Sequence, residues 1–141
     1  IKIEMYKKVA AAEKLEEIDQ VEDEFIDRFG PLPDPVWRLL MVARMKAYAY
    51  ALEMESIVLK DDKLKMMFQP TINDKIDGSR LFQLVSQADR RFGLISGTQI
   101  GITCRVDKLT ENEWLTMVCE LLDKLTSASL IKEEKKSNAL S

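Results

Sequence analysis

The run "VEDEFIDRFGPLPDPVWRLL", Val21 to Leu40, constrains this chain more than any other stretch. A charged segment stops at Gly30, prolines stand at positions 31, 33 and 35, and an almost wholly apolar segment follows. Proline locks φ and lacks an amide hydrogen, so no helix passes through such a block. Gly30 sits where a helix C-cap belongs, Asp34 is placed to cap the next helix, and Pro35 suits its first turn. Upstream, Leu15, Ile18, Val21, Phe25, Ile26 and Phe29 share one broad arc at helical pitch, which predicts a helix from Ala12 to Phe29. Glu13, Glu17, Gln20, Glu24 and Asp27 occupy the other side, with Arg28 at its border. Glu24 and Arg28 are four apart and can pair within the helix, contributing about 0.3–0.5 kcal/mol. Downstream, Pro35 to Glu53 is interrupted only by Arg38, Arg44 and Lys46 among its apolar residues. A helix this apolar is expected to be central and packed on more than one face.

The rest of the chain changes period. Lys2 to Ala12 reads as a first helix, with Ile3, Tyr6 and Ala10 beside Met5, Val9 and Ala12. After Glu53 the alternation becomes two: "SIVLK" and "KLKMMF" around Asp61-Asp62 predict a hairpin that Pro70 ends. "GSRLFQLVSQADRR" predicts a helix, and "FGLIS" with "QIGITCRV" a second hairpin whose Ile100, Ile102, Cys104 and Val106 face a core. Thr110 and Glu113 have capping-box spacing for a last helix carrying Trp114, Leu115, Val118, Leu121, Leu122 and Leu125. The expected class is α+β, a helical N-terminal half packed on a small, mostly antiparallel sheet with further helices. One domain is expected over 1–127, with 128–141 a polar, flexible tail.

Composition narrows function by exclusion. With no histidine, the commonest general base and zinc ligand is missing. No phosphate loop, dinucleotide fingerprint or nucleophile elbow is present. A net charge of -3 gives no broad attraction to nucleic acid or anionic membrane, and no apolar run is long enough to span a bilayer. Cys104 and Cys119 lie on apolar stripes and read as reduced core thiols of a cytoplasmic protein. The chain opens at Ile1 in a segment already helical in pattern, as a fragment of a longer polypeptide would. A binding role is therefore expected rather than catalysis. The alternative is a small nucleic-acid-binding module using Arg38, Arg44, Arg90 and Arg91.

One family supplies a sharper expectation. The helix start from Lys2 to Lys8, the block "EFIDRFGPLPDP" from Glu24 to Pro35, and the "LLMVAR" run from Leu39 to Arg44 resemble the start of the C-terminal domain of the bacterial transcription-repair coupling factors, the Mfd family. The likeness is close over the first third; the second half is similar in length and order of elements. It implies a cytoplasmic parent that translocates on DNA with ATP and Mg in an upstream motor, displaces stalled RNA polymerase and recruits UvrA. It implies that this domain has no cofactor and no catalysis of its own. Its implied role is to dock on the UvrB-like N-terminal module of the same protein, masking the UvrA-binding surface and restraining the motor. The family's docking residues fall on Glu24, Asp27 and Arg28. Phe25 stands where a smaller aliphatic residue is common in the block.

Overall fold

Gly30 ends the charged helix as its position requires. In the computed structural model, which describes residues 2–132, Gly30 takes a φ of 84° and its amide donates to the Ile26 carbonyl at 2.9 Å. A side chain there would be strained, so the turn needs glycine. Helix α1 spans Lys2–Ala11, α2 Leu15–Phe29 and α3 Asp34–Ala51. Helix α2 begins with the first residue of its apolar arc and not at the expected Ala12, because the Glu17 carboxylate accepts the amides of Glu13 and Lys14, each at 3.1 Å. Those amides are donors a helix start leaves unsatisfied, so Glu17 fixes the boundary. Asp34 is not the cap of α3. The helix starts on it, after Pro33 in an extended conformation, so its charge acts on the helix dipole from the first turn.

The period-two segments form strands β1, Met54–Lys60, β2, Lys63–Phe68, β3, Phe92–Ile95, and β4, Gly101–Arg105. Their order is β1-β2-β4-β3, and every neighbouring pair is antiparallel. Between the hairpins lie a 3-10 turn, Pro70–Lys75, and helix α4, Gly78–Gln87. Helix α4 stops short of the expected Arg91, and its N-cap is Asp77, whose carboxylate accepts the Arg80 amide. Helix α5, Glu111–Ser127, carries the full capping box between Thr110 and Glu113. The α+β class is as expected, with the helices on one face of the sheet.

Two apolar clusters meet at α3. The smaller joins Met5, Val9 and Ala12 to Ile18 and Phe25 of α2 and to Val36 and Leu40 of α3. The larger joins Met45 and Ala49 of α3 to Leu64, Met66, Phe68, Ile102 and Cys104 of the sheet and to the leucines of α5. Helix α3 is the shared wall, which is why so little of it is polar. Each large side chain removed from water contributes about 1.5–3 kcal/mol. Tyr48 donates to the Asp123 carboxylate at 3.1 Å and ties α3 to α5. Burial, with the nearby Asp123 charge, pushes its phenol up to about 12. Beyond α5 the chain is still part of the fold. Leu130 is buried, its carbonyl accepts the Asp77 amide at 3.0 Å, and Ile131 bridges to Ile76. Residues 133–141, the remainder of the expected tail, lie outside the described residues.

Candidate functional site

Helix α2 holds carboxylates on two sides, and the sides differ. On the side facing α3, Arg44 reaches back to Asp19 at 2.9 Å and also binds Glu22. The Arg44 side chain is only 17% exposed. Burial opposes its charge, but the hydrogen bonds and charges of Asp19 and Glu22 outweigh that, and its pKa is raised. A guanidinium held this way joins two helices. Sequence periodicity did not single out Asp19 or Glu22. The available signal was Arg44 itself, a cation amid the apolar residues of a central helix, which needs a partner if buried.

The other side bears Glu24, Asp27 and Arg28, the three residues predicted for docking. Glu24 sits over the seam with α1 and accepts Lys8 Nζ at 3.1 Å and Arg28 at 3.5 Å. Arg28 also approaches the Met5 sulfur at 3.8 Å and lies 5.8 Å from the centre of the Phe29 ring. The local Glu24–Arg28 pair therefore forms, and Lys8 joins it from another helix. Nothing in the local pattern predicts Lys8, because it is 16 residues from Glu24. Asp27 is exposed and makes no salt bridge among the described residues. Glu17, on the same predicted side, is committed to capping. Its two backbone donors lower its pKa.

The ground under this face is rigid. Phe25 is buried and packs on Phe29 at 5.1 Å and Tyr6 at 6.3 Å between ring centres. Ile26, placed with the apolar arc by period, is instead 42% exposed. On α1, Met5 and Val9 enter the core while Ile3 and Tyr6 remain at the surface.

The arginines of the nucleic-acid alternative do not stand ready. Arg38 pairs with Glu111 at 3.5 Å, Arg44 with Asp19 and Glu22, and Arg91 with the carbonyls of Arg105 and Asp107 at 2.9 and 2.8 Å. Only Arg90 of the four is exposed without such a contact among the described residues. Burial pushes both Cys104 and Cys119 thiols up to about 11, so neither is a thiolate near neutral pH. Among the described residues no His, Cys, Asp or Glu side chains converge as a metal site would need, and no helix is long and apolar enough to cross a membrane.

Known proteins resemble this chain in sequence and in fold. A family model described as the TRCF domain matches residues 1–79. A transcription-repair-coupling factor of Bacillus subtilis is 35% identical over 122 residues, covering 86% of this chain and 10% of that protein. One from Staphylococcus epidermidis is 29% identical over 134 residues, covering 94% of this chain and 11% of that protein. The chain thus spans about a tenth of the length of these relatives. In three dimensions it superposes on the crystal structure of the C-terminal domain of transcription-repair coupling factor with a TM-score of 0.72. That match is 23% identical and covers 91% of this chain and 82% of that one.

Proposed function

The chain belongs to the transcription-repair coupling factor family, and from that premise we propose that it is a non-catalytic regulatory domain that docks, through Glu24, Asp27 and Arg28, on a UvrB-like N-terminal module of its own protein. Docked, it masks the UvrA-binding surface and restrains an ATP- and Mg-dependent motor that translocates on DNA. Engagement of stalled RNA polymerase releases it. The protein works in DNA repair in the cytoplasm.

The observation that supports this reading best is Asp27, an exposed carboxylate without an ion-pair partner among the described residues, next to a preset Lys8–Glu24–Arg28 chain. Charged contacts at the surface give orientation and specificity without great strength. A partner in the same polypeptide has a high effective concentration, so modest contacts suffice to hold it and can still be released. The Gly30 turn and prolines keep the C-terminal end of α2 at a fixed angle to α3, so the three side chains are presented without further ordering.

The test is charge reversal in the full-length protein, Asp27→Lys with Arg28→Glu. UvrA binding is expected to tighten by about tenfold, a coupling of the usual allosteric size, with DNA-stimulated ATPase raised alongside. Wild-type values for both would dismiss the docking assignment.

A further inference from the structure

Among the described residues the helices cover one face of the sheet, and no helix lies on the other. Residues opposite one another in an antiparallel ladder project to the same side. Leu64 pairs with Cys104, and Met66 with Ile102, and all four are buried against the helices. The intervening positions face outward. There the register aligns Lys60 with Lys63, and Lys63 with Arg105, three cations in a row across β1, β2 and β4. Strands lie about 4.8 Å apart, so the charges crowd. Lys65 stands in the next row, between Val58 and Thr103.

All four cations are exposed, and none forms a salt bridge among the described residues. Asp61 and Asp62 in the adjoining turn form none either. Like charges directly opposite one another destabilise a sheet. The row is thus a cost to the free domain, in a chain whose net charge is negative.

Apolar side chains share this face: Val58 in the Lys65 row, and Met67 and Ile95 in the row beyond, which Ser56 ends. Val58 is 52% exposed, and Met67 and Ile95 flank Gly101 in register. A methyl group at Gly101 would collide with the Met67 sulfur, so the absence of a side chain lets Met67 lie down across β4. The face is half cationic and half apolar. A nucleic-acid backbone would answer the cations and leave Val58, Met67 and Ile95 uncovered. An acidic segment with an apolar side answers both halves.

We propose that the outer sheet face is a second docking surface, for an acidic amphipathic protein segment that sets its carboxylates on Lys60, Lys63, Lys65 and Arg105 and its apolar side chains on Val58, Met67 and Ile95. It lies on the far side of α3 from α2 and is independent of the docking assigned to Glu24, Asp27 and Arg28.

The isotope-labelled 141-residue chain is titrated with a helical peptide carrying glutamates on one face and leucines on the other, and separately with a DNA duplex. Amide shifts are expected to map to β1, β2 and β4 with the peptide, and to weaken as salt screens the contacts. Lys63→Glu is expected to lower peptide affinity at least about tenfold while raising Tm by about 2–4 °C, since two repulsions become attractions. Val58→Ser is expected to weaken binding without raising Tm. The proposal is overturned if Lys63→Glu binds the peptide as well as wild type, or if the duplex shifts this face at lower concentration than the peptide. Sedimentation showing a self-associated chain that Lys63→Glu dissociates would overturn it too, by making the occupant a second copy.

Discussion

The two sides of α2 carry the same chemistry to different ends. Toward α3, Asp19 and Glu22 close on a largely buried Arg44, and charge becomes a joint between helices. Toward α1, Glu24 and Arg28 meet Lys8 in water, where ion pairs are worth about 0–1 kcal/mol, and Asp27 stays open. Burial makes the difference. Removing Arg44 from the inner cluster strands the Glu22 charge in a poorly solvated place, whereas any member of the outer one can be replaced by solvent or a partner. A helix can thus be fastened by one face and remain available on the other.

The largest expected effect removes the support common to both sides. Phe25→Ala takes the buried ring from between α1, α2 and Phe29, and is expected to cost about 3–4 kcal/mol in a denaturant melt. The contrast breaks if the loss is below 1 kcal/mol, roughly the scale of a surface change. Next, Arg44→Ala leaves Glu22 without its partner and should cost about 1–2 kcal/mol by the same measurement. A neutral result would place the inner cluster with the outer.

Glu17→Ala sharpens the comparison through pH. The carboxyl of Glu17 has its folded pKa lowered below the ordinary 4.5 by the Lys14 and Glu13 amides. Its stabilisation is therefore present above that value and is lost as pH falls through the lower folded pKa. Thermal melts should show the variant below wild type at neutral pH, with the gap narrowing in acid. A gap constant across pH would remove the charge from the cap. Smallest of all, Asp27→Lys should change stability by no more than about 0.5 kcal/mol. A larger loss would mean that Asp27 holds the domain together and is not there for a partner.

Much of the fold could be read along the chain. The Gly30 C-cap, the apolar α3, both hairpins and the Thr110–Glu113 cap follow from period and from residues whose φ or hydrogen bonding is restricted. Errors fall where a side chain overrides the pattern. Glu17 starts α2 three residues after Ala12, and Asp34 is the first residue of its helix instead of its cap. Family resemblance, and not spacing, points to the candidate docking residues. Spacing alone puts them on a solvated face, which is where they are.

What local order fixes in this protein is therefore its elements, their caps and which stripe of each is apolar, because those depend on neighbours within a few residues. Which charges meet was not decided at that range. Lys8 reaches Glu24 across 16 residues and Arg44 reaches Asp19 across 25. The order β1-β2-β4-β3, which brings Lys63 between Lys60 and Arg105, depends in the same way on packing between distant segments. The same carboxylate or ammonium reads identically in sequence whether it ends up in a joint, in a patch or in water, and only its distance from the core and from opposite charge separates the three.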